Sequence, residues 1–268
     1  MRSTLAKKSF GQHFLKDQHV LDKTCMIIAG LETPNLLEIG PGQGALTEHL
    51  LVLQKKLLCI EADRDMQDHL IHKNILKPDQ LIRQDVLKVN FNSLFEEEEF
   101  IVCGNFPYNI SSQILIQTLL SASKIPYLVG MFQKEVALRI NAKPGTKEYG
   151  TLSVLAQLLY DAERCFDIAP GAFSPPPKVT SSVVLLKRKT HLLPNAKFRG
   201  IQKLVRHSFQ FRRKTLRNNL KSYVSKPDVL TDSFFEQRAE VLSPQDYIML
   251  YDRLISDHSN SESIMSQK

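Results

Sequence analysis

The stretch Leu36-Leu-Glu-Ile-Gly-Pro-Gly-Gln-Gly44 constrains this chain more than any other. A short apolar run ends in glycines at 40, 42 and 44, and Leu46, Leu50 and Leu53 then repeat at helical spacing. Strand, glycine loop and helix in that order make a βα unit whose turn lies open to a ligand. Glycines there let the backbone turn tightly and approach a bound nucleoside. Dinucleotide sites begin the same way, and Glu61, about 20 positions on, suits a ribose in either case. Two residues favour S-adenosylmethionine as the cofactor over NAD. Glu38, in an E-x-G-x-G-x-G arrangement, suits a cationic sulfonium better than an anionic pyrophosphate. Asp85 ends the apolar run Gln80-Leu-Ile-Arg-Gln-Asp85, placed to accept from an adenine amino group. Each of Glu38, Glu61 and Asp85 alone could be a solvated carboxylate at a strand end; all three at strand ends of one βαβ series read as a set.

Downstream, the apolar run Phe100-Ile-Val-Cys-Gly104 leads into Asn105-Phe-Pro-Tyr108. The Asn105 side-chain oxygen and the backbone carbonyl of Phe106 can both accept from an exocyclic amino group. Pro107 stiffens the turn, and Tyr108 offers a ring on which a flipped base can stack. These properties suit methylation of the N6 of adenine. Read alone, the four residues also look like an ordinary strand-to-helix turn with a proline breaker.

Apolar runs alternate with helical patterns as far as Tyr160. Strands are expected at Leu36 to Gly40, Leu57 to Glu61, Leu81 to Gln84, Phe100 to Gly104 and Tyr127 to Phe132, with helices between them. After a helix from Thr151 to Tyr160, the runs Glu163 to Ile168 and Ser181 to Lys187 are joined by Gly171-Ala-Phe-Ser-Pro-Pro-Pro177. That link is too proline-rich and too short for a crossover helix, so the pair should form an antiparallel hairpin at the sheet edge. The expected fold is α/β: a Rossmann-like, seven-stranded, mostly parallel sheet with an antiparallel edge strand over residues 1–190. A small α-helical domain follows over 191–255, and the polar tail 256–268 is expected to be disordered.

At 268 residues and 43% hydrophobic content, the chain is long enough to bury one large core and a small second one. Its charge is unevenly spread. Of 35 Lys and Arg, 13 fall between Lys187 and Lys226, where no Asp or Glu occurs; the remainder carries 22 basic against 28 acidic residues. Phe198, Ile201, Leu204, Val205 and Ser208 keep a helical period inside that segment, as do Leu216, Leu220 and Tyr223, so the cations should line outer helix faces. A run of cations without acids repels itself, which points to a phosphate-backbone partner rather than a solvated surface. Arg206, Arg212, Arg213, Lys214 and Arg217 are the candidate RNA contacts, with Lys7, Lys8 and the proline-rich loop next. Glu96 to Glu99 reads as an exposed loop without chemistry. Cys25, Cys59, Cys103 and Cys165 are widely spaced, which indicates neither a zinc site nor a disulfide framework. With no apolar run of membrane-spanning length and no signal-peptide core, a soluble cytoplasmic protein is expected.

Five segments together resemble the ribosomal RNA adenine dimethyltransferases. They are Lys8-Ser-Phe-Gly-Gln-His-Phe-Leu15, Glu38 to Gly44, Asn105-Phe-Pro-Tyr-Asn-Ile-Ser111, Phe173-Ser-Pro-Pro-Pro-Lys-Val179 and Phe209-Gln-Phe-Arg-Arg-Lys-Thr-Leu-Arg-Asn-Asn-Leu220. Their order and spacing run from residue 7 to about 255, and the similarity is greatest to the enzymes that dimethylate two adjacent adenosines near the 3′ end of small-subunit (16S) rRNA. The resemblance implies that His13 and Leu15 close over the cofactor, with His13 standing where Asn is commoner. It places Gly40 along the methionine moiety, Gly42 with it in the cofactor site, and Glu61 on the ribose. Asp85 falls on the adenine, and Asn105 between cofactor and target. Phe106 replaces a common Leu, which is tolerable if only its carbonyl acts. Phe173 resembles the residue that stacks on the far side of the target base. The implied partner is small-subunit rRNA in its assembling particle, bound by a monomer without a metal. Two rivals are a large-subunit (23S) rRNA methyltransferase of the antibiotic-resistance type and a noncatalytic assembly factor. The Pro175 to Lys178 run and the Phe209 to Leu220 motif argue against the first, and Glu61, Asp85, Asn105 and Tyr108 against the second.

Overall fold

The computed structural model describes residues 12–265, with side chains as far as Ile255; Lys7 and Lys8 lie outside this range. In chain order the regular elements begin with β1 (Phe14–Leu15), α1 (Gln18–Ala29), β2 (Asn35–Ile39), α2 (Ala45–Leu51), β3 (Lys56–Ile60) and α3 (Arg64–His72). β4 (Leu81–Ile82), β5 (Phe100–Asn105), α4 (Ser111–Leu120), β6 (Tyr127–Gln133), α5 (Lys134–Asn141) and α6 (Thr151–Leu159) follow. The chain continues through β7 (Tyr160–Ile168), β8 (Phe173–Ser174), β9 (Ser181–Arg188), α7 (Asn195–Ser208), α8 (Leu216–Leu220) and α9 (Pro244–Met265). Two compact units result, the first holding residues up to Leu138 with Tyr160–Thr190, the second Arg139–Leu159 with the chain from His191.

The first unit is built on a seven-stranded sheet in the order β4-β3-β2-β5-β6-β9-β7. β2 pairs in parallel with β3 on one side and β5 on the other, so the chain reverses its direction of travel across the sheet there. The crevice beyond the carboxyl ends of such neighbours is where a ligand fits an open α/β sheet. All five residues of β2 are buried, as expected of a strand covered on both faces. One strand is reversed, as anticipated, but it is β9, antiparallel to both β6 and β7; the edge itself is β7. Sequence reading missed a second, two-stranded sheet. Phe14 and Leu15 pair with Ser174 and Phe173, bringing the N-terminal segment to the proline-rich loop.

In the second unit, α7 buries Phe198, Ile201, Leu204, Val205 and Ser208, the positions whose period marked it as amphipathic. The segment 139–159, assigned to the first domain from sequence, belongs by its contacts to this unit. Tyr149 is buried with its hydroxyl donating to the Leu242 carbonyl at 2.8 Å, and the Gly145 amide donates to the Glu240 carbonyl at 2.7 Å. Such pairings across some 95 residues leave no mark in local periodicity. α9 continues through Met265, past the point at 256 where sequence reading begins the tail. Among the described residues no helix is long and apolar enough to cross a membrane.

Candidate active site

A cavity of about 320 Å³ opens at the carboxyl ends of β2, β3 and β5. His13, Leu15, Glu38, Gly40, Gly42, Glu61, Asp85 and Asn105 all line it, as do Phe106, Pro107 and Tyr108. The glycine loop is locked to the next strand. Both Glu61 oxygens accept backbone amides, Oε2 from Gly42 at 3.1 Å and Oε1 from Asp63 at 2.9 Å. Burial pushes the Glu61 carboxyl up, and those two amides pull it back. Gly42 has φ of +57°, which strains any side chain, and a Cβ there would lie 3.0 Å from the Phe14 ring, so the ring would have to give way.

Glu38 is 1% exposed, beneath the loop. Its Oε2 accepts from Thr47 Oγ1 at 2.7 Å and from the Cys59 thiol at 3.6 Å. Cys59 and Cys103 flank it in register on the two neighbouring strands, and burial pushes both thiols up, so they stay protonated, with Cys59 the donor to Glu38. Burial outweighs the hydrogen bonds and pushes the Glu38 carboxyl up to about 7. Nothing in the sequence singled out Thr47 or Cys59 as its partners, because both reach it only through the packing of α2 and β3. Asp85 Oδ1 accepts from the Leu87 amide at 3.0 Å, which fixes the carboxylate at the cavity wall. Three carboxylates therefore line the cavity, and among the described residues no Lys or Arg does. That charge set fits a cationic sulfonium cofactor and disfavours a pyrophosphate.

The Asn105 to Tyr108 turn closes the cavity on the β5 side. Asn105 Nδ2 donates to the His13 carbonyl at 2.7 Å. A carbonyl only accepts, so the amide nitrogen must face it and Oδ1 is directed elsewhere, available as an acceptor. The Phe106 ring packs into the core against Phe132, their centroids 5.3 Å apart. It fits because residue 130 is glycine: a Cβ there would lie 2.2 Å from Phe106 Cε2. The exchange of Leu for Phe thus concerns the core and leaves the backbone carbonyl of the turn alone. The Tyr108 hydroxyl shares a hydrogen bond with Ser181 Oγ, and its ring stacks on that of His13 at 5.4 Å and 27°. His13 in turn donates Nδ1–H to the Pro175 carbonyl at 2.8 Å, since that carbonyl cannot donate. One residue thereby ties the N-terminal segment to both the Asn105 to Tyr108 turn and the proline-rich loop.

Phe173 is placed differently from the sequence expectation. It is 1% exposed and sits in the core with Leu15, Ile168 and Val183, where it anchors β8 and presents no face to a base. Its register opposite Leu15 turns the ring inward.

The candidate RNA contacts divide into two groups. Arg206, Arg213 and Lys214 are exposed, and their side chains make no ion pair among the described residues. Arg212 is held by Glu240 at 3.3 Å and by the Lys147 carbonyl. Arg217 donates to the Leu230 and Thr231 carbonyls at 2.9 and 3.0 Å and pairs with Glu236, so it pins the following loop.

Fold and site together define a class I methyltransferase sheet with an acidic cavity at the carboxyl ends of its strands, closed by the Asn105 to Tyr108 turn. Residues 3–255 match the ribosomal RNA adenine dimethylase family, and the chain belongs to it. It is 41% identical to a ribosomal RNA small subunit methyltransferase A of Flavobacterium johnsoniae, over 96% of this chain and 98% of that one. Among solved structures it resembles a dimethyladenosine transferase from Plasmodium falciparum, at 28% identity and a TM-score of 0.72, covering 92% of this chain and 98% of the other. The 23S rRNA methyltransferase ErmE shares the fold at 23% identity and a TM-score of 0.61, over 90% of this chain and 99% of that one.

Proposed function

We propose that this chain methylates the N6 of two adjacent adenosines, twice each, in the 3′-terminal hairpin of small-subunit rRNA. The observation that carries the reading is the Asn105 amide, oriented by the His13 carbonyl at the rim of a cavity lined by three carboxylates and no Lys or Arg. Glu38, Glu61 and Asp85, with Gly40, Gly42 and Leu15, would hold S-adenosylmethionine, which when bound supplies a methyl group already activated on a cationic sulfur. Asn105 Oδ1 and the Phe106 carbonyl accept hydrogen bonds from the N6 amino group, which draws the nitrogen lone pair out of conjugation and aims it. Tyr108 offers the stacking face, its ring held by Ser181 on one side and backed by His13. The methylated nitrogen, transiently cationic, is acidic enough to lose its proton without a dedicated side-chain base.

The rest of the reading concerns context. Arg206, Arg213 and Lys214 dock a monomer on rRNA within the assembling small subunit, in the cytoplasm. The 41% likeness to a small-subunit enzyme supports this over the large-subunit alternative, for which only the shared fold speaks. Small subunits from cells lacking the protein, incubated with the purified chain and S-adenosylmethionine, should gain two dimethyladenosines by mass spectrometry. Asn105→Ala should bind cofactor and particle yet transfer nothing. Full dimethylation in the deletion strain, or wild-type transfer by Asn105→Ala, would overturn the proposal.

A further inference from the structure

Two phenylalanines two positions apart, in the loop between α7 and α8, go opposite ways. Phe209 turns inward, its ring 6.2 Å from those of Tyr149 and Tyr247. Phe211 remains 58% exposed. Its backbone is nevertheless held hard. Asn219 of α8, 2% exposed, accepts from the Phe211 amide at 3.1 Å and donates to the Phe211 carbonyl at 3.1 Å and the Ser208 carbonyl at 2.7 Å. One buried amide thus uses both donor and acceptor on this turn, which fixes the direction in which residue 211 leaves the surface.

A polar residue at 211 would keep those backbone hydrogen bonds and would spare water much of an apolar ring. The ring is presented, and its surroundings say to what. Arg213 and Lys214 follow it, exposed and without ion pairs among the described residues, in a stretch that holds 13 cations and no acid. A partner that satisfies cations and a flat apolar face side by side is a nucleic acid with an unstacked base, since every base has a π-face and every nucleotide a phosphate. An apolar patch on a protein would match the ring but not the cations. We infer that Phe211 is a stacking platform for an unpaired base of small-subunit rRNA, with Arg213 and Lys214 gripping the flanking phosphates. The inference rests on the docking role proposed for this segment and assigns it a base contact besides its charge.

The test is equilibrium binding of the full chain to small ribosomal subunits from cells lacking the protein, across a salt series. Phe211→Ala and Phe211→Leu should each bind roughly ten-fold more weakly with an unchanged salt slope, and Phe211→Trp should match or exceed wild type. Leu keeps apolar bulk at an exposed site and retains the fold, so it stands if Ala is compromised. Leu binding as tightly as wild type while Ala is weak would indicate an apolar contact with a ribosomal protein and overturn the stacking. Wild-type affinity in both Ala and Leu would overturn it too, provided the pair Arg213→Glu, Lys214→Glu is defective. If that charge-reversed pair itself binds like wild type, the docking reading fails first, and the stacking with it.

Discussion

Replacing Glu38 by Gln should change how the stability of this protein depends on pH, by an amount the structure sets. The carboxyl is buried between Cys59 and Cys103, with Thr47 donating to it and the like charge of Glu61 adding to its rise. Its ordinary value of 4.5 rises to about 7 in the fold, chiefly through burial. Between those values the folded chain holds a proton that the unfolded chain has released. A carboxyl raised in this way adds stability that is complete below about 4.5 and is lost as pH climbs through about 7. The slope is about 1.4 kcal/mol per pH unit, and over a gap of 7 − 4.5 = 2.5 units the loss comes to about 3 kcal/mol. Gln keeps the shape and the Thr47 bond, but its amide nitrogen needs a buried acceptor, an offset of about 1–3 kcal/mol that does not vary with pH. The slope is therefore the measurement. In urea unfolding at pH 5, 6, 7 and 8, wild-type stability should fall relative to Glu38→Gln by about 2–3 kcal/mol, most of it below pH 7. Affinity for the sulfonium cofactor should rise with pH through the same range in wild type, because a cation prefers the ionised carboxylate, and stay flat in the variant. Parallel stability curves would refute the reasoning.

Other consequences can be measured directly. Asp85→Ala should weaken S-adenosylmethionine binding by about 1.5–3 kcal/mol in calorimetry, and Glu61→Ala by more, since the Gly42 and Asp63 amides lose their acceptor along with the ligand; wild-type affinity in both would remove them from the site. Gly130→Ala should destabilise the first unit by about 1–3 kcal/mol through collision with Phe106, and adding Phe106→Leu should recover part of that in thermal unfolding. Arg217→Ala should lower stability by about 1–2 kcal/mol while leaving the salt slope of ribosome binding alone. The triple change Arg206→Glu, Arg213→Glu, Lys214→Glu should do the reverse, flattening the slope by up to about one unit for each phosphate no longer neutralised; equal behaviour of the two sets would contradict their separation.

Much of this protein was legible before folding. Glycines at 40, 42 and 44 after an apolar run admit little but a βα turn, and the period of Phe198 to Ser208 admits little but an amphipathic helix, because backbone freedom and side-chain spacing are local properties. Strand-end carboxylates were readable for the same reason: position within a βαβ series places Glu38, Glu61 and Asp85 at one rim. What the sequence left open depends on contacts between distant residues. The transfer of 139–159 to the second unit rests on Tyr149 meeting Leu242, and the inward turn of Phe173 on its pairing with Leu15. The basic residues looked alike in the chain, and only the fold commits Arg212 and Arg217 to their neighbours while leaving Arg206, Arg213 and Lys214 to a partner. Burial and hydrogen-bond partners are assigned in three dimensions, so Thr47 beside Glu38 and the His13 carbonyl beside Asn105 could come only from the tertiary structure.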